Sequence, residues 1–495
     1  MADRDVVIVG AGPAGLTASY LLTQQGRHVT VLEADPHHVG GIARTVEYRG
    51  YRFDVGPHRF FSKSTRVEAL WDELLPGDLL SIARQTRIHY RGAFFSYPLR
   101  PAEALRRLGA WQSTRAAASY MRARCFPTRT PLSFADWVTN AFGAHLFETF
   151  FRTYTEKVWG MPCAEISADW ASQRIKGLSL GAAVWSAVRP RRATPAGAPR
   201  IKSLIETFRY PRRGAGTMWE AAAQRTRAQG GEVRLGCRAT GLAYDAAART
   251  WTTTFRQPDG SAAALTSAHV ISSAAMGDLA AMLSPALRAH AAAAAAALRY
   301  RDLLVVELIV KDRDRFADHW IYIHDPHVRV ARIQNHKAWS PALIADPATT
   351  AYGLEYFCFA ADGLWQRDDA ALVDLAAREL VGLRLAEPGD VLDGCVVRQP
   401  RAYPVYDAHY AHHVAAIRDE LAQRFPGLHL VGRNGMHKYN NQDHAMMTAM
   451  LTVDAILGRT PPRDPWRVNE DAEYHEEDHR APTSGLRLVP RPINK

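Results

Sequence analysis

Val6-Val7-Ile8-Val9-Gly10-Ala11-Gly12-Pro13-Ala14-Gly15 is the stretch on which the fold turns. Four apolar residues suited to a strand run straight into a Gly-x-Gly-x-x-Gly turn. Gly10 suits the tight turn, Gly12 lets the backbone approach a pyrophosphate, and Gly15 lets the following helix pack close to the strand. A diphosphate then rests on amide groups at a helix N-terminus. Downstream, the helix closes at Gly26, a second strand runs Val29-Thr30-Val31-Leu32, and Glu33 follows, placed to accept from ribose hydroxyls. This strand, turn, helix, strand order is a dinucleotide-binding βαβ unit, and it predicts that the chemistry belongs to a bound cofactor.

The residues after Glu33 bear on the choice between NAD and FAD. Gly40-Gly41 supply a second close backbone approach and Arg44 a cation beside the same pyrophosphate. This extension resembles the FAD-binding arm of the glutathione-reductase-like flavoproteins, which implies FAD. The fold expected is α/β: a Rossmann-like FAD-binding domain of that type, an inserted helical part and an antiparallel-sheet substrate domain.

The chain has 495 residues, enough for two or three subdomains. Its five cysteines show no CxxC spacing, so neither a metal site nor a disulfide framework is indicated, and a reducing cytoplasm is the natural setting. No apolar run approaches the ~18 residues of a membrane span, although peripheral membrane contact stays open. The formal charge of +11 suggests an anionic partner. The arginine groups Arg84/Arg87, Arg122/Arg124, Arg189/Arg191/Arg192 and Arg212/Arg213 are not interleaved with stacking aromatics, which argues against nucleic acid. A diphosphate-bearing small molecule fits better.

Patterning divides the chain discontinuously. Residues 1–75 form the first cofactor-binding segment and 76–205 a mostly helical substrate or cap region, with an Arg-, Pro- and Ala-rich connector from Ser186 to Lys202. Residues 206–295 return to the cofactor domain through β-rich runs such as Thr250–Phe255 and Ala268–Ser272. Residues 296–395 alternate as strands of a substrate sheet, 396–460 complete the cofactor domain, and 461–495 form a tail with an acidic stretch.

Four further segments, in order along the chain, resemble UDP-galactopyranose mutase within the wider amine-oxidase and protoporphyrinogen-oxidase superfamily. Asp54-Val-Gly-Pro-His58-Arg-Phe-Phe61-Ser62 is similar to the mutase segment passing over the flavin face, with Phe61 where the mutases have a second histidine. Tyr154-Thr-Glu-Lys157-Val-Trp159-Gly160, followed by Arg174, resembles the run that supports the nucleotide base and binds the diphosphate. Val330 to Pro341 resembles a strand with a second diphosphate-facing arginine, Arg332. Gly432-Arg433 to Asp443, preceded by Tyr403-Pro404, resembles the Gly-Arg-x-Gly-x-Tyr-x-Tyr segment; Tyr403 and Tyr439 match phosphate-contacting tyrosines, His437 replaces a tyrosine and Asn441 an acid. The helix after it, capped by Asn441 or Asp443, is expected to direct its N-terminus at the flavin.

The resemblance implies a cofactor set of Gly10, Gly12, Gly15, Glu33, Gly40, Gly41, Arg44, Arg433, Asn441 and Gln442. It implies catalytic roles for His58, Arg174 and Arg332, and substrate contacts from Tyr154, Trp159, Arg174, Arg332, Tyr403 and Tyr439. The activity implied is pyranose/furanose isomerisation of a nucleotide-activated sugar by covalent catalysis at N5 of reduced FAD, with an external reductant such as NAD(P)H. The alternative is an FAD-dependent oxidoreductase of the amine-oxidase or protoporphyrinogen-oxidase kind, oxidising a small molecule by hydride transfer to FAD.

Overall fold

The computed structural model describes residues 4–97, 99, 103, 106–107, 109–168, 207–459 and 463–468. Arg174, the connector Ser186–Lys202 and nearly all of the tail lie outside the described residues.

The apolar run Val6–Val9 becomes the strand Arg4–Val9, whose four last residues are buried because it lies inside a sheet with neighbours on both sides. Val29–Leu32 pairs with it in parallel on one flank and Ala262–Ser272 on the other, so residues more than two hundred positions apart share one ladder. Among the described residues this sheet has eight strands. Glu232–Arg234 adds to Val29–Leu32, Leu428–Leu430 pairs with Ala262–Ser272, and an antiparallel extension runs through Thr250–Arg256 to Arg238–Asp245, on which Leu283–Ser284 pairs in parallel. The helices Pro13–Thr23, Gly216–Ala228 and Gln442–Ile456 share a buried apolar cluster on one face.

A second sheet of seven strands is antiparallel except for one pair. Its order is Val391–Pro404, Tyr300–Lys311, Thr349–Cys358, Arg332–Asn335, Trp320–Ile323, Thr86–Tyr90 and Ala93–Ser96, with Trp320–Ile323 and Thr86–Tyr90 parallel. Two features differ from the sequence expectation. Residues 79–96, read as part of a helical region, form the strands Leu79–Ala83, Thr86–Tyr90 and Ala93–Ser96. The signal was the Arg91-Gly92 pair between Ile-His-Tyr and Phe-Phe: both residues take positive φ (51° and 74°), as a two-residue hairpin requires. Val391–Pro404 is one continuous strand across the boundary expected at 395/396.

Helices Ala110–Cys125, Phe134–Phe142 and Thr153–Trp159 pack around Phe134, Val138, Phe147, Phe150 and Trp159. Among the described residues no helix is long and apolar enough to cross a membrane.

Candidate functional site

The glycine turn lines one end of a groove of about 1180 Å³. Each glycine of the fingerprint has a distinct reason. Gly10 takes φ +98°, and a Cβ there would lie 2.3 Å from Ser273 Oγ; a Cβ on Gly15 would lie 2.0 Å from the Gly10 carbonyl oxygen. On Gly12 the same atom meets nothing nearer than Gly41 Cα at 4.0 Å, so the space before Gly12 belongs to the groove. Gly12 is the N-cap of Pro13–Thr23, and no side chain caps it, which leaves that end to an incoming acceptor. Gly40 and Gly41 take φ +99° and +55° and bring Gly41 opposite Gly12.

Glu33 is held at the groove wall by the Ala11 amide at 2.7 Å on Oε2 and the Asp35 amide at 2.9 Å on Oε1. Burial raises its pKa, and these amides work against that shift. Arg44 differs from expectation. Its Nη1 donates to the Gly41 carbonyl at 2.9 Å and to Gln399, and Asp35 lies 3.9 Å away, so it pins the glycine pair from behind. Desolvation is the physical reason: a guanidinium beside this wall is stabilised by fixed acceptors.

The groove is also bordered by His58, Arg433, Asn440 and Gln442. His58 Nε2 lies 2.9 Å from the Ile42 carbonyl and 3.0 Å from that of Val55; two acceptors around one nitrogen select the Nε2–H tautomer, and burial lowers the pKa, keeping the ring neutral. Gln442 opens the helix Gln442–Ile456 and donates to the Arg59 carbonyl at 3.0 Å. Asn441 is its N-cap, with the Asn441 amide donating to His444 Nδ1 at 3.2 Å. Asp443 is fully enclosed in the first turn, where burial pushes its carboxyl up to about 8.

A cluster of tyrosines and arginines adjoins the groove at Arg433. Arg433 donates to the carbonyls of Asn440 (2.9 Å) and Ala402 (3.2 Å), and its guanidinium lies over Tyr403 and Tyr439 at 5.1 and 4.8 Å. The two tyrosine rings stack at 5.5 Å, and Phe357 tilts onto Tyr403 at 5.4 Å. Arg332 Nε donates to Glu355 Oε1 at 2.7 Å and its Nη2 to Glu355 Oε2, a two-pronged pair in which Glu355 is fully buried and Arg332 keeps 12% of its side chain exposed. Burial opposes charge on Arg332, but Glu355 together with Tyr403 and Tyr154 lifts the guanidinium well above its ordinary value. Tyr154 stacks on His324 at 4.9 Å and meets Tyr322 edge-on at 5.4 Å. Tyr154, Arg332, Tyr403 and Tyr439 lie within electrostatic reach of one another.

Trp159, expected to support a base, is 2% exposed in the helical core and stacks against Tyr406 at 6.3 Å. The helix ends immediately after it at Gly160 (φ +63°), which turns the indole inward. His437 is also buried, at φ 47°, with its ring against Tyr300 at 4.9 Å and its pKa lowered to about 4 by burial.

Sequence reasoning missed Glu355. Its signal was an acid inside an otherwise apolar run, since all ten residues of Thr349–Cys358 are buried and a buried carboxylate requires a partner. Glu307 in Leu-Leu-Val-Val-Glu-Leu-Ile-Val has the same signature and meets His336 Nε2 at 2.8 Å. Among the described residues no group of three His, Cys, Asp or Glu side chains could hold a metal ion.

Residues 8–74 match the family of NAD(P)-binding Rossmann-like domains. A probable UDP-galactopyranose mutase of Klebsiella pneumoniae is 27% identical over 190 residues, 34% of this chain; the match spans 44% of that relative's length. The putrescine oxidase of Kocuria rosea is 44% identical over 72 residues, 14% of this chain and 15% of that protein. The crystal structure of a reduced UDP-galactopyranose mutase superposes with a TM-score of 0.79 at 21% identity, covering 96% of this chain and 98% of that one, a likeness of fold. In fold, and over nearly its whole length, the chain is therefore similar to UDP-galactopyranose mutase, with a match to the NAD(P)-binding Rossmann-like domains at residues 8–74 and sequence relatives that extend to the amine oxidases.

Proposed function

We propose that this chain is an FAD-dependent enzyme that interconverts the pyranose and furanose forms of a nucleotide-diphosphate sugar. One observation carries the reading: Arg433 borders the dinucleotide groove and at the same time lies over Tyr403 and Tyr439, so the groove and the tyrosine–arginine cluster share a wall.

The groove suits FAD on the chemistry of its walls. Gly12 and Gly41 leave backbone open where a pyrophosphate would rest, and Glu33 offers a carboxylate for ribose hydroxyls. In this reading segments 1–75, 206–295 and 396–460 make up a glutathione-reductase-like cofactor domain, with 76–205 and 296–395 inserted to complete the substrate side. Bound FAD supplies a nucleophile for redox-neutral isomerisation when reduced, or a hydride acceptor when oxidised. His58 contributes a neutral ring, donating from Nε2 to two carbonyls. Asn441 and Gln442 shape the helix terminus that favours negative charge nearby.

On the substrate side, Arg332 is held charged and aligned by Glu355, and with Arg174 it forms the proposed clamp for the diphosphate leaving group. Tyr154 takes the base-supporting role that the burial of Trp159 removes from that residue, and Tyr403 and Tyr439 direct hydroxyls toward phosphate. A cytoplasmic setting with a reductant such as NAD(P)H accompanies this reading.

The test is incubation of the purified protein with UDP-galactopyranose and related nucleotide sugars, with and without dithionite, followed by chromatography. Isomerisation that requires reduction and consumes no electrons is the expected result. Stoichiometric bleaching of the flavin by an amine, a sugar or another small molecule would replace this reading with the oxidoreductase one.

A further inference from the structure

The helix Ala110–Cys125 has one committed face and one bare face. Ala116 and Ala123 are buried, the Ser119 hydroxyl accepts from the His145 amide at 3.0 Å, and Gly143 approaches so closely that a Cβ there would lie 2.7 Å from the Tyr120 amide nitrogen. The inner side is thus locked onto the neighbouring helices.

The outer side carries Trp111, Arg115, Ala118, Arg122 and Cys125 at i, i+4, i+7, i+11 and i+14, a single stripe along the helix, with Met121 beside it and Phe126 at its end. Trp111 is 72% exposed, Met121 60% and Phe126 81%, and Leu132, a little beyond the helix in sequence, is 77% exposed. Large side chains gathered in this way on an outer surface mark an interaction site. The charge along this run is mostly basic, with Glu103, paired to Arg107 at 3.2 Å, and Asp136 at its two edges. Residues 104–135 contain Arg106, Arg107, Arg115, Arg122, Arg124 and Arg129 and no acidic residue. Among the described residues no carboxylate pairs with Arg115, Arg122, Arg124 or Arg129.

We propose that this face docks onto an anionic lipid surface. Trp and Phe rings settle at the boundary between headgroups and acyl chains, while arginines interleaved with them meet lipid phosphates; a basic stripe with exposed Trp and Phe is the composition that such contact requires. A second copy of the chain fits less well, because two-fold pairing would lay Arg115 and Arg122 against the same residues with no acid within residues 104–135 to answer them. The occupant is therefore a membrane rather than a sister molecule, and the contact is peripheral.

The test is co-sedimentation of the purified full chain with phosphatidylcholine vesicles, with and without phosphatidylglycerol. Binding is expected only to the anionic vesicles and falls as salt is raised. Trp111→Ser with Phe126→Ser, or separately Arg115→Glu with Arg122→Glu, is expected to lower partitioning at least about tenfold. All four side chains point outward, so the melting temperature stays unchanged. Equal binding to neutral vesicles, no binding to either, or full retention by both variants would overturn the proposal. So would sedimentation showing a dimer that Trp111→Ser dissociates, which would assign the face to a second copy. None of these readouts depends on bound flavin or on turnover.

Discussion

The dinucleotide groove and the tyrosine–arginine cluster share Arg433 yet are built in opposite ways. The groove is shaped by backbone: glycines at 10, 12, 15, 40 and 41 whose missing side chains define where atoms can go. The cluster is shaped by side chains from separate strands and helices, and its charges are engaged internally before any ligand arrives, Arg332 by Glu355 above all. A backbone site is specified by local sequence spacing. A side-chain site depends on which distant partner the fold delivers, so its residues can be named from motifs while their orientation cannot.

Within the groove, steric arithmetic predicts the largest effect. Gly15→Val places atoms 2.0 Å from the Gly10 carbonyl oxygen at the strand–helix junction, and the variant is expected to lose well over ~3 kcal/mol, measurable as a collapse in soluble yield and melting temperature. Wild-type stability there would show that strand and helix can separate freely.

The cluster responds next. Glu355→Ala takes the fully buried counter-charge from a largely enclosed Arg332 guanidinium and is expected to cost about 3 kcal/mol in chemical denaturation. Replacing both partners together, Arg332→Met with Glu355→Leu, should recover much of that loss while abolishing substrate binding. Equal destabilisation by the single and double variants would mean that the pair is not coupled.

Asp443 sharpens the comparison at the junction of the two regions. Its carboxyl is raised by burial from 3.8 to about 8, so between these values the folded state holds a proton that the unfolded state lacks. Its contribution to stability therefore falls as pH rises through that window. Asp443→Asn is expected to stabilise by a few kcal/mol at pH 8, on the scale of ~1.4 kcal/mol per pKa unit, and by less at pH 5. A constant gain across pH would contradict the assignment. The smallest stability effect belongs to Tyr403→Phe: the stacking on Tyr439 persists, so the change is expected to stay near ~1 kcal/mol in melting while the KM for the sugar nucleotide rises.

Legibility followed this division. The βαβ unit could be read because glycine spacing and apolar runs act over about thirty residues, and the family match at residues 8–74 coincides with that reading. Likeness to the mutase could be read from motif order, and it extends to the fold of nearly the whole chain. The hairpin at 86–96 was hidden because Arg91-Gly92 is a weaker turn signal than Asn-Gly, and because helical sequence follows it. Burial of Trp159 was illegible locally, since an indole that stacks on a ligand and one that packs on Tyr406 look alike in sequence. Arg44 was legible as a cation near the glycine pair, but not its turn toward Gln399, which arrives from 355 residues away. Glu355 shows what can be recovered: an acid in a fully buried strand asks for a cation, and Arg332 was the neighbouring candidate.

The most direct test of the central claim is chromophore content in the Gly12→Val variant beside the wild type. Denaturing the wild-type protein is expected to release one FAD per chain. The variant, whose added Cβ meets nothing nearer than Gly41 Cα at 4.0 Å, is expected to stay folded without the cofactor and to carry no FAD. A wild type that releases no flavin, or a variant that binds it as well as the wild type does, would contradict the account.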